Sequence, residues 1–185
     1  DNPNEVIIHF KDDATAFNGE KKDKFSGKGR VNLAFTRYFF DLLHSKGIKT
    51  HIVEFLDELS LKAVKVQIIP LEVVVRNYAA GSVCKRLGFK KGFKFEPPLF
   101  ELFLKDDSLG DPILCRTHIK YLNAVTDEEL DKIEKMALQI NSILSEEMDS
   151  KNITLVDYKL EFGRTPDGEI ILADEISPDT CRFWV

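Results

Sequence analysis

Apolar residues recur along this chain with two different periods, and the changes of period mark out its elements. Residues 6–10 (VIIHF) read as an opening strand, followed by a polar loop over 11–29. Over 30–45 the period is helical: Val31, Ala34, Phe35, Tyr38, Phe39, Leu42 and Leu43 recur at i, i+3/i+4, and Gly47 ends the run. These aromatics are expected in the core. Strands are expected near 50–55 and 61–67, with Asp57-Glu58 in the turn between them. A strongly apolar strand covers 71–75, a short helix follows Gly81, and a Phe-rich, Pro-punctuated stretch runs through 89–104. Thr126 caps a long helix, with Glu129 completing a capping box and Leu130, Ile133, Ala137, Ile140 and Leu144 forming its buried stripe.

Near the end the period becomes two. Val156, Tyr158, Leu160 and Phe162 point one way while Asp157, Lys159 and Glu161 point the other. Pro166-Asp167-Gly168 signals a turn, and 170–176 reads as the return strand. A two-residue Asp167-Gly168 loop would set Glu161 directly opposite Asp174, and a three-residue loop would shift that pairing by one. Facing like charges destabilise a ladder. Two readings remain open: a solvated hairpin face, or a pair of carboxylates that holds magnesium. Ser177-Pro178-Asp179 and Arg182 add another acid and a fixed cation just past the strand end, where functional groups often gather.

This pattern gives an α+β fold in two lobes. Residues 1–68 form an antiparallel-sheet lobe with one long helix, and 69–185 form an α/β lobe whose sheet is mostly antiparallel. The boundary lies near 66–69, with no flexible linker.

Composition narrows the function. A net charge of −5 argues against a non-specific nucleic-acid binder, and no apolar run is long enough to span a membrane. Cys84, Cys115 and Cys181 are odd in number and far apart, which argues against a disulfide framework and for a reducing, cytoplasmic setting. The chain starts without a methionine and stops at Trp184-Val185, so flanking segments are expected.

A second cluster suits an anion. In IIPLEVVVRNYAAGSVCKRLG (68–88) a strand delivers Arg76, small residues allow close approach, and Ser82 starts a short helix. Lys85 and Arg86 are expected in the first turn of that helix. An arginine fork with a hydroxyl suits a phosphate monoester, against the plainer reading of surface charges on a short helix. The 11–32 loop lacks a Walker A pattern and reads as solvated or as a lid, and 97–112 reads as structural docking.

These segments resemble a known family. IIPLEVVVRNYAAGS at 68–82 and LVDYKLEFG at 155–163 are similar to signatures of phosphoribosylaminoimidazole-succinocarboxamide synthase (SAICAR synthetase). DEISPDTCR, PPLFELFLKDD and the DDATAFNG…GKGRVN loop fit in the same order. The resemblance implies condensation of the carboxylated aminoimidazole ribotide (CAIR) with L-aspartate, driven by ATP with Mg2+ and passing through an acyl phosphate. Carried onto this sequence, it places Glu161 and Asp174 on magnesium. Arg76, Ser82, Arg182 and Lys85 would take the ribotide phosphate. Asp157, Lys159 and Asp179 would lie at the reacting centre with Ser177 beside them. Lys65, Gln67, Ile68 and Glu72 would meet the nucleotide between the lobes, and Thr15 and Lys28 would line the aspartate side. The resemblance also implies a homo-oligomer, an N-terminal phosphate loop and C-terminal helices. Phe17-Asn18 departs from the family's Gly-Asp.

Overall fold

A computed structural model describes residues 2–16 and 21–185, with side chains at 15, 16, 21 and 22 outside the description. Phe17-Asn18 therefore lies outside the described residues. In chain order the elements are β1 (Glu5–His9), β2 (Asp13–Ala16), β3 (Lys21–Lys24), α1 (Lys28–Ser45), β4 (Ile52–Phe55), β5 (Ser60–Val64), β6 (Gln67–Tyr78) and α2 (Ser82–Leu87). Then come β7 (Lys94–Leu104), β8 (Ile113–Leu114), α3 (Arg116–Leu122), α4 (Asp127–Asp149), β9 (Thr154–Arg164), β10 (Ile170–Ala173) and β11 (Cys181–Trp184).

Helices combine with sheets whose ladders are antiparallel. A small sheet has the order β1-β5-β4, β2 and β3 form a hairpin, and the large sheet runs β10-β9-β6-β7-β8. β9 is the axis of the large sheet. One edge pairs with β6 along its length, while the other takes β11 on its first half and β10 on its second. Because β9 is flanked on both edges and covered on one face by α4, nearly all of it is buried. The α4 stripe expected from the sequence is buried in full, and the Thr126–Glu129 capping box forms. Tyr158 drives its ring into this layer and donates its hydroxyl to the Ala137 carbonyl at 2.9 Å, which satisfies a buried polar group.

α1 serves two cores. Phe39, Phe40 and Leu43 join the main core under the large sheet, whereas Leu33 packs with Leu61 and Ala63 of the small sheet. The buried face is rotated from the expected stripe: Val31, Phe35 and Tyr38 are 49%, 37% and 42% exposed, and Ala34 is exposed. The buried positions include Asn32 and Thr36 instead. Polarity explains the error. Both face the loop after β10, where Asn32 Nδ2 donates to Asp179 and Thr36 Oγ1 donates to the Ile176 carbonyl at 3.3 Å.

Other corrections are local. The polar loop after β1 contains the β2–β3 hairpin. Pro166-Asp167-Gly168 is a three-residue loop closed by Thr165 and Glu169, with Gly168 at φ 85, so the pairing shifts by one. Ala173, not Asp174, lies opposite Glu161. The return strand stops there because Asp174 takes a left-handed φ of 59. Past the expected return strand, Cys181–Trp184 form β11, and α3 (Arg116–Leu122) was not among the expected elements. The 66–69 stretch is where the chain leaves the small sheet for β6, and packing is tight. A Cβ on Gly163 would lie 2.3 Å from a Val66 methyl.

Candidate active site

Along β9 the side chains alternate between the α4 core and the opposite face, which carries Asp157, Lys159 and Glu161. Register extends these positions into rows across the sheet. Arg182, Asp157, Arg76 and Leu99 form one row; Lys159, Val74 and Glu101 the next; Glu161, Glu72 and Phe103 the third. Facing acids are therefore present, but Glu161 faces Glu72 rather than Asp174. Lys159 bridges them, donating to Glu72 at 2.7 Å and to Glu161 at 3.2 Å, and Lys105 also pairs with Glu161. Glu161 is 3% exposed. Burial works against the Lys159 ammonium, but Glu72 and Glu161 outweigh it and leave its pKa raised.

Asp174 lies within electrostatic reach of this row. Burial, then the charges of Glu161 and Glu175, raise its carboxyl to about 6. Glu175 is also raised, mainly by burial, and one of its carboxylate oxygens is buried without a partner among the described residues. Lys159 and Lys105 offset only part of the charge of Glu72, Glu161, Asp174 and Glu175, and that negative excess makes Glu161 and Asp174 the residues that could hold a divalent cation. Among the described residues no cluster of three or more His, Cys, Asp or Glu side chains is arranged as a metal cage.

The arginine end of the face is more tightly built. Arg76 is buried and donates from Nε to Glu101 at 2.7 Å, from Nη1 to Asp157 at 2.7 Å and from Nη2 to Ser82 Oγ at 3.2 Å. Arg182 approaches Asp157 from β11 with its Nε at 3.6 Å. Its guanidinium lies over Gly81, where a Cβ would meet its terminal nitrogens at 2.8 and 2.9 Å. Burial raises the Asp157 carboxyl, with Arg182 and Arg76 opposing. The structure thus brings Arg76, Ser82, Arg182 and Asp157 together. Lys85 and Arg86 correct the expected first-turn placement: α2 is six residues long and both sit in its last turn, where cations suit the helix dipole. Arg86 pairs with Glu101, and Lys85 is exposed.

Asp179 stands apart from Asp157. It accepts from Asn32 at 2.9 Å and pairs with Lys28, so α1's first turn is tied to the loop after β10. A cavity of about 340 Å³ opens here, lined by His9, Lys11, Asp13, Lys28, Asp174 and Glu175 among others. Ser177 is fully buried, and its hydroxyl accepts from the Asp179 N–H at 3.1 Å, shaping this loop. Thr15 belongs to β2, with its side chain outside the description. Lys65, Gln67 and Ile68 are exposed at the junction of the small sheet and β6, whereas Glu72 is held by Lys159 on the acid row.

Four participants went unassigned in the sequence: Asn32, Glu101, Lys105 and Glu175. Glu101 is a lone acid among apolar neighbours on β7, and Lys105 follows the strand's last residue, so no period-two pattern marks either of them.

A family model for SAICAR synthetase matches residues 1–185. The chain belongs to the SAICAR synthetase family. It is 56% identical over 177 residues to the phosphoribosylaminoimidazole-succinocarboxamide synthase of Staphylococcus carnosus, spanning 96% of this chain and 76% of that protein. A SAICAR synthetase solved in complex with ADP matches with a TM-score of 0.94 at 49% identity, covering 97% of this chain and 77% of that one. The Pyrococcus horikoshii enzyme matches with a TM-score of 0.93 at 49% identity, over 97% and 79% of the two chains. SAICAR synthetases are ATP-dependent ligases of purine biosynthesis, and the acid row and arginine cluster described above lie within the matched part. No helix among the described residues is long and apolar enough to cross a membrane.

Proposed function

We propose that the polar face of β6, β9 and β11 joins CAIR to L-aspartate through an acyl phosphate. The observation that carries this reading is the order of charges along β9. An arginine cluster at Asp157 and an acid pair at Glu161 are separated by one lysine, Lys159. A carboxylate is a poor electrophile, so it must first be activated. One carboxylate oxygen of the ribotide attacks the γ-phosphorus and ADP leaves. The aspartate amine then attacks the acyl carbon, the C–O bond breaks, phosphate departs and the nitrogen loses a proton.

Each end of the face suits one part of this chemistry. Arg76, Ser82 and Arg182 receive the ribotide phosphate through a guanidinium fork and a hydroxyl. That anchor sets the imidazole carboxylate beside Lys159, whose ammonium offsets the charge of two anions brought together. Glu161 and Asp174 would hold magnesium, which when bound neutralises phosphate oxygens as a Lewis acid. Lys28, Asn32 and Asp179 border the cavity on the other side of Asp174, where the aspartate enters. Residues 1–68 and 69–185 serve as two lobes with the nucleotide at Lys65, Gln67 and Ile68 between them. Orientation supplies much of the rate, since aligned groups reach effective molarities of about 10⁵ M or more.

The test uses full-length protein with ATP, magnesium and CAIR, with and without L-aspartate. Phosphate release that requires aspartate, with a succinylated product, supports the reading. ADP formation indifferent to aspartate overturns it.

A further inference from the structure

Glu101 is buried (6% exposed) on β7, yet nothing in the chemistry above calls on it. Its two oxygens serve two arginines. Oε2 accepts from Arg76 Nε and Oε1 from Arg86 Nη2, both at 2.7 Å. The ladder places Glu101 opposite Val74, so it reaches Arg76 diagonally, two residues along β6. We propose that Glu101 is a positioning residue for the ribotide phosphate, fixing Arg76 and α2 relative to one another without touching the phosphate. This rests on the reading of Arg76, Ser82 and Arg182 as the phosphate site.

Two features support positioning. With Nε tied to Glu101 and Nη1 to Asp157, the Arg76 guanidinium cannot swing, and Nη2 is aimed at Ser82. One unused N–H then remains on each terminal nitrogen, in a fixed fork. The second feature is the helix. Ser82 begins α2 and Arg86 lies in its last turn, so Glu101 grips the far end of the element that carries the Ser82 hydroxyl. Arg86 also lies 5.4 Å over the Phe103 ring, which steadies the same contact. One carboxylate thereby ties the strand-borne and helix-borne halves of the site.

Charge gives a clean discriminator. Arg76, Arg86 and Arg182 face Glu101 and Asp157, leaving one positive charge in excess. Removing the charge of Glu101 makes the cluster more positive. If Glu101 acted only through charge, phosphate would then bind more tightly. If it positions the fork, phosphate binds less tightly despite the added charge.

The experiment measures KM in full-length Glu101→Gln for CAIR, for its 5′-hydroxyl counterpart and for ATP, alongside Arg76→Ala and Ser82→Ala. The KM for CAIR is expected to rise about 10- to 100-fold, the scale set by sub-ångström misplacement of a binding group. The KM values for ATP and for the 5′-hydroxyl compound should stay near wild type. Arg86→Met, at a side chain more exposed than Glu101, should shift CAIR in the same direction by a smaller factor; it decides the matter alone if Glu101→Gln does not fold. A lower KM for CAIR, or an equal penalty on the phosphorylated and hydroxyl compounds, overturns the inference. If Arg76→Ala and Ser82→Ala separate the two compounds while Glu101→Gln does not, only the role of Glu101 falls. If none of them separates the compounds, the phosphate site falls as well.

Discussion

His51 gives the fold a pH dependence that can be isolated. It is 3% exposed, packed edge-on against Phe40, with neither ring nitrogen hydrogen-bonded among the described residues. Its backbone joins the small sheet to the large one: the N–H donates to Leu172 at 2.9 Å and the carbonyl accepts from Val64 at 2.7 Å. Burial lowers the imidazole pKa from 6.5 to about 4, with the Leu172 carbonyl opposing weakly. The unfolded chain therefore binds a proton between those values that the folded chain refuses. Stability from this residue is complete above pH 6.5 and is lost as pH falls toward 4, by about 3 kcal/mol at about 1.4 kcal/mol per unit. Asp174 acts in the opposite sense. Its carboxyl is raised from 3.8 to about 6, so it adds stability as pH falls through that window and masks His51 in the wild type. The comparison must therefore be between His51→Leu and wild type, each unfolded by denaturant at pH 7.5, 6, 5 and 4 without magnesium. Near neutrality the variant should be more stable by about 1 kcal/mol, since two unpartnered nitrogens leave the core. At pH 4 the advantage should grow to about 4 kcal/mol. A difference that stays constant from pH 7.5 to 4 would refute the reasoning.

Three other outcomes are expected. Glu161→Gln should lower kcat by at least about 10² while the unfolding midpoint changes little, since Lys159 keeps Glu72 as a partner; near-normal turnover at limiting magnesium would remove Glu161 from the metal. With the Asp174 carboxyl raised to about 6, the magnesium concentration needed for half-maximal rate should climb as pH drops below that value, and the climb should vanish in Asp174→Asn. Gly163→Ala would set a Cβ 2.3 Å from a methyl of Val66. A loss of about 1–3 kcal/mol in chemical denaturation is expected from that overpacking, with a rise in KM for ATP because Lys65–Ile68 adjoin it.

Much of the fold was legible because its core elements carry one clean period. The α4 stripe and capping box, and the alternation along β9, are stated by residues that face one environment. α1 misled because it faces two sheets and a polar loop, so its true face includes Asn32 and Thr36 while Phe35 and Tyr38 stay outside. The hairpin register turned on one residue of loop length, which composition does not fix. The idea of facing acids survived this shift in another form, with Glu72 opposite Glu161 and Asp174 reaching them from the loop. Glu101, and its pairing with Arg86, stayed hidden because that contact is tertiary. An acid in a strand and a cation in a short helix matter only once Arg76 lies between them.

Phosphoryl transfer to the ribotide carboxylate is tested most directly by labelling that carboxylate with oxygen-18. Full-length protein is supplied with the labelled CAIR, ATP, magnesium and L-aspartate, and the released phosphate is analysed by mass spectrometry. Transfer through an acyl phosphate places one labelled oxygen in each phosphate and leaves the other in the new amide. Phosphate released without label, at a rate matching amide formation, would contradict it.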